Sequence, residues 1–71
     1  MIYYVNMYND EHGRHEVHTK DCSFLPKEEN RIYLGNFNNC QEAINEAKRK
    51  WPDPQYKFDG CYYCSINCHK G

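Results

Sequence analysis

The chain has little of what a self-sufficient core is built from. Leucine occurs only at Leu25 and Leu34, and valine only at Val5 and Val17. Within 71 residues, so few aliphatic side chains give marginal stability on their own. No apolar run approaches the roughly 20 residues that span a bilayer. The opening Met1-Ile2-Tyr3-Tyr4-Val5-Asn6 has no basic segment leading into an apolar stretch, so no secretory signal is expected. Charge of one sign is also lacking. The net value is -1, which excludes a strongly basic, non-specific DNA binder while leaving room for a local basic face. No repeat, low-complexity tract or linker interrupts the chain, and residues 1–71 are expected to form one domain.

Cysteine, histidine and tyrosine are abundant instead, at five, four and seven residues. Small domains commonly add a staple, either disulfides or a metal. An odd number of cysteines does not close a disulfide set. With no signal segment and with Met1 at the start, a reducing, cytoplasmic setting is expected, where thiolates serve as metal ligands.

The fold class expected is α+β. Residues 2–8 are aromatic and β-branched and read as a strand, with Tyr3, Val5 and Met7 on one face. A polar turn ending at Gly13 leads into a second strand over residues 14–18, which makes an N-terminal hairpin. Its His15 and Val17 face one way, and His18 faces the other. Residues 19–30 read as a loop, and residues 31–34 as a short third strand ended by Gly35. Asn39 is the expected helix N-cap, with Glu42 three positions on in a capping-box arrangement. Cys40, Ala43, Ile44, Ala47 and Trp51 then form one apolar stripe. Lys48, Arg49 and Lys50 suit the negative end of the helix dipole, and Pro52 and Pro54 stop the helix. Residues 52–58 read as a connection and Asp59-Gly60 as a turn, followed by a ligand-rich tail over residues 61–69.

Two ligand pairs stand out: His18-x3-Cys22 and Cys61-x2-Cys64. Short spacers let both side chains of a pair reach one tetrahedral ion, and two pairs close a four-ligand structural zinc shell. One zinc ion held by His18, Cys22, Cys61 and Cys64 is therefore expected, with backbone N–H groups near Gly60 directed at sulfur. Cys68 and His69 follow closely and form a competing set with Cys61 and Cys64. Cys40 reads as a buried structural thiol on the helix stripe; in an oxidising setting Cys40–Cys68 is the leftover disulfide. His12 and His15 read as hairpin residues outside the site.

With these residues in place, the chain resembles the N-terminal metal-binding domain of Ada-type DNA-repair proteins. It is also similar to short zinc modules of the pattern Tyr-His-x3-Cys…Ala…Cys-x2-Cys found appended to bacterial nucleases and in secreted or phage-like proteins. The residues that carry the likeness are His18, Cys22, Ala43 or Ala47, Cys61 and Cys64. The resemblance implies a zinc-built fold. It argues against repair chemistry, because the first ligand of Ada-like domains is the cysteine that accepts a methyl group, and His18 stands at that position. The family's proline before the Cys-x2-Cys is replaced by Gly60.

A closed four-ligand site without a nucleophile–base constellation points to a non-enzymatic binding module whose partner is nucleic acid or protein. An alkyl-accepting cysteine and a Cys61/Cys64 redox pair are the alternatives. The tyrosines are expected mainly to fill a thin core, with base stacking as the functional alternative. Lys48-Arg49-Lys50-Trp51 reads as a solvated helix end, with phosphate contact as its alternative.

Overall fold

A computed structural model describes residues 1–70. Four strands, β1 (Ile2–Asn6), β2 (Arg14–Thr19), β3 (Arg31–Asn36) and β4 (Lys57–Gly60), and one helix, α1 (Cys40–Lys50), form a small α+β domain with two one-turn 3-10 helices, Glu28–Asn30 and Ile66–Cys68. This is the expected fold class. Among the described residues, no helix is long and apolar enough to cross a membrane.

The sheet order is β3-β1-β2-β4. β1 and β2 form the expected antiparallel hairpin, with Val5 opposite Val17 and Tyr4 opposite His18. Asp10 closes its turn, since its Oδ1 accepts from the backbone N–H groups of His12 and Arg14. Gly13 completes the turn at φ +78°, a conformation that costs little only without a Cβ. β3 extends past its expected end to Asn36. Its pairing with β1 shifts register between Tyr3 and Tyr4, passing from Gly35 to Tyr33, so Leu34 is the extra residue of a bulge.

The helix begins where Asn39 predicts. Asn39 Oδ1 accepts the Glu42 N–H at 3.0 Å, while the Glu42 carboxylate takes the N–H of Asn38 at 2.9 Å. Cys40, Ala43, Ile44 and Ala47 are buried on the sheet. The two alanines are small enough to bring the helix close, and the core they join consists of Tyr3, Val5, Val17 and Leu34, flanked by Ile32, Phe37, Trp51 and Phe58.

Two expectations are corrected. Residues 57–60 are not a connection and turn but a strand, β4, lying parallel to β2 with Phe58 opposite His15 and Asp59 opposite Glu16. A parallel partner needs a long crossover, which β3 and α1 supply. Cys40 is not a free thiol: it is disulfide-bonded to Cys68, across 28 residues of sequence. That bond ties the first turn of α1 to the C-terminal tail.

Candidate metal centre

The period of two in β2 places Glu16 and His18 on the sheet face opposite the buried Val17. His18 is nevertheless only 1% exposed, because the loop after β2 and the tail after β4 close over it. The Cys61 N–H donates to Val17 O at 3.0 Å. It thereby continues the β2–β4 ladder by one step and sets Cys61 beside His18. Cys22 sits in a tight turn anchored by its N–H on Thr19 O. The Ser65 N–H closes a second turn on Cys61 O at 2.9 Å, and Cys64 lies within that turn.

His18, Cys22, Cys61 and Cys64 thus converge, with one ligand atom from each lying within 4.8 Å of all the others. Cys22 Sγ is 3.8 Å from Cys61 Sγ, and Cys64 Sγ is 3.9 Å from His18 Nδ1. A regular tetrahedron with metal–sulfur bonds of about 2.3 Å has edges of about 3.8 Å. The spacing therefore fits a shared ion and is far too long for a disulfide. Backbone N–H groups do point at sulfur, but the donors come from the end of β2 and the loop after it rather than from beside Gly60: Thr19 N–H at Cys64 and Phe24 N–H at Cys22, both at 3.4 Å.

The three thiols of the cluster differ in how readily they ionise. Burial pushes the Cys22 thiol up to about 12, the Phe24 N–H offsetting part of the effect and the neighbouring thiols adding to it. Burial also raises Cys61, against the N–H groups of Cys64 and Tyr63. Burial opposes ionisation of Cys64 too, but donors from Thr19, Cys22, Ser65 and Cys61 outweigh it and lower its pKa. Of the three thiols, Cys64 therefore ionises most readily and Cys22 and Cys61 less readily than a free thiol. A bound cation would supply the charge that lets all three ionise. Burial lowers the pKa of His18, which keeps its imidazole neutral, the form that ligates.

The competing ligands are committed elsewhere. Cys68 is in the disulfide, and His69 Nδ1 lies 3.0 Å from Gly60 O and 3.2 Å from Asp59 Oδ2. His12 is exposed in the hairpin turn beside Glu11. His15 packs against Tyr56 and Phe58, with Nδ1 3.0 Å from Asn6 O. The cysteines therefore divide into one crosslinked pair and three free thiols, all three in the cluster, which accounts for the odd count. Sequence reasoning missed Asp59, a buried carboxylate whose Oδ1 accepts the Lys70 N–H at 2.7 Å and whose Oδ2 lies 4.0 Å from Arg14. It also missed Glu16, whose pKa burial raises, helped by the charges of Asp10 and Asp59. The only signal for Glu16 was its position two residues before His18.

The ligand-bearing loops also carry exposed aromatic rings. Phe24 and Tyr63 stack at 4.3 Å, and Tyr62 meets Tyr63 edge-on at 5.2 Å. In comparisons with known proteins, the chain matches no family model, no curated protein and no solved structure.

Proposed function

We propose that the chain is a zinc-built binding module in which one structural zinc ion is held by His18, Cys22, Cys61 and Cys64. The observation that carries this reading is the convergence of four ligand atoms within 4.8 Å. A set of three thiolates and one imidazole suits zinc among the common biological cations, and four protein ligands leave no open position for catalysis. The ion joins the β2 end to the tail and so fixes the two loops that carry Phe24, Tyr62 and Tyr63. Those exposed rings are the surface the module offers to a nucleic-acid or protein partner. The order of ligands supports an Ada-like frame in which a histidine at the first ligand position gives the site a structural role.

Elemental analysis of the purified chain tests the reading. One zinc per chain is expected, lost in His18→Ala and Cys22→Ser and retained when Cys40 and Cys68 are both replaced by alanine. A metal-free protein with three reactive thiols and full thermal stability would overturn it.

A further inference from the structure

We infer that Glu16 is the outer-sphere partner of the metal centre: its carboxylate receives the Nε2–H of His18 and holds the ring with Nδ1 toward the three cysteines. The inference rests on the metal-binding reading above. A histidine that ligates through one ring nitrogen generally donates its other N–H to a carboxylate or carbonyl, which fixes tautomer and orientation and strengthens the ligand. Here Nδ1 lies 3.9 Å from Cys64 Sγ, and on the other side of the ring Nε2 lies 3.7 Å from Glu16 Oε1, longer than a hydrogen bond and short enough for a small rotation of the Glu16 side chain to close it. The two nitrogens therefore have different neighbours, sulfur on one side and carboxylate on the other.

The backbone enforces this pairing. Glu16 and His18 are i and i+2 on one strand, so both project from the same face. The imidazole is almost completely enclosed, and its Nε2–H needs an acceptor. Glu16 in turn has no permanent cation of its own. Among the described residues, its single ion-pair partner is His18, while the nearby guanidinium of Arg14 faces Asp59. Asp10, Asp59, His69 and Arg14 act on this carboxylate from further away, but His18 is the ionisable group it stands against.

Two measurements on the zinc-loaded full chain test this, with zinc affinity read by competition against a chromophoric chelator and His18 ring nitrogens read by long-range 1H–15N NMR. In the wild-type chain, Nε2 is expected to carry the proton and Nδ1 to show the shift of a metal-bound nitrogen. Glu16→Leu should weaken zinc binding about ten- to hundredfold and speed exchange of the Nε2 proton. Glu16→Gln keeps an acceptor oxygen and should recover much of the affinity. Glu11→Leu, in the exposed hairpin turn, controls for loss of surface charge and should change neither readout. Equal zinc affinity in wild type and Glu16→Leu, or a His18 ring ligating through Nε2, overturns the inference and leaves the metal-binding reading intact. A wild-type chain that takes up no zinc overturns both.

Discussion

The sulfur of Cys22 lies 3.8 Å from the sulfur of Cys61, although 39 positions of sequence separate them. Neither turn can bring this about alone. The contact exists because β4 lies parallel to β2 and delivers Cys61 to the strand end from which the Cys22 turn departs. Metal removal should therefore release two parts of the chain at once. Structural zinc contributes on the order of 10–16 kcal/mol of apparent binding free energy in small modules, more than a core this thin supplies. Treatment with a strong chelator is expected to lower the thermal midpoint steeply and to broaden the amide NMR spectrum over residues 18–24 and 60–69 first. An unchanged midpoint after complete zinc removal would show that the core suffices by itself.

Much of this arrangement was legible in the sequence, for identifiable reasons. Helix α1 announces itself through Asn39, Glu42 and the stripe from Cys40 to Ala47, all local signals. The four clustered residues were nominated by short spacers, again local. β4 was not legible, because Lys57-Phe58-Asp59-Gly60 contains one apolar residue and ends in a turn-like pair; only its partner β2 makes it a strand. The Cys40–Cys68 bond was named only as the pair left over in an oxidising setting. Its formation depends on how the tail crosses the start of α1, a distance that no spacing rule supplies. Glu16 carried no sequence signal beyond its place two residues before His18.

Zinc binding should release protons. Cys22, pushed up to about 12 by burial, and Cys61, also raised by burial, must both ionise to ligate. Affinity is therefore expected to rise with pH. Calorimetry in buffers of different ionisation enthalpy should show about two or more protons released per zinc near neutral pH, and no net release would contradict the ligand set. In the metal-free chain, His18 gives a separate signature. Its folded pKa is depressed by burial, so below the ordinary imidazole value of about 6.5 the unfolded chain binds the extra proton. The stability that neutral His18 contributes is present above that value and is lost as pH falls toward the depressed one. His18→Gln in the metal-free chain should flatten that part of the pH–stability curve.

The disulfide should matter for stability but not for the metal. Crosslinking across 28 residues restricts the unfolded chain by about 3–4 kcal/mol in the loop-entropy treatment. Replacing Cys40 and Cys68 with alanine together is expected to lower the midpoint of denaturant unfolding accordingly while zinc stoichiometry stays at one. Both sulfurs are buried, so reduction of the native protein should be slow without denaturant. Loss of zinc in the double variant would place the disulfide upstream of the metal centre instead.

Removing the helix cap tests the local part of the fold. Asn39→Ala deletes the acceptor of the Glu42 N–H, and losing such a cap costs about 1 kcal/mol. Because Cys40 begins the helix and is held by the disulfide, fraying should stop within the first turn. Hydrogen exchange is expected to speed up at Gln41 and Glu42 and to stay unchanged at Ala47. Protection lost along the whole helix would mean that the cap, rather than packing on the sheet, sustains α1.

Gly60 is the position where the smallest change should do the most damage. It ends β4, next to Cys61, and a Cβ there would fall 2.5 Å from Ser65 O, 2.7 Å from Cys68 Cβ and 2.9 Å from the Cys68 carbonyl carbon. Two of these atoms are backbone, and the third belongs to a crosslinked side chain, so no rotamer change relieves the clash. The tail over residues 65–68 must lift from the strand, which strains the turn holding Cys61 and Cys64 and the disulfide together. Overpacking of a tight site typically costs 1–3 kcal/mol, and here the same displacement spreads the ligand atoms. Gly60→Ala is therefore expected to weaken zinc binding and to lower the thermal midpoint together. Gly13→Ala, whose Cβ would meet nothing within 4 Å, should pay only for its positive φ and keep wild-type zinc affinity. A Gly60→Ala protein with native zinc affinity would show that the tail can shift without moving the cysteines, and that the metal centre is less tightly coupled to β4 than its geometry requires.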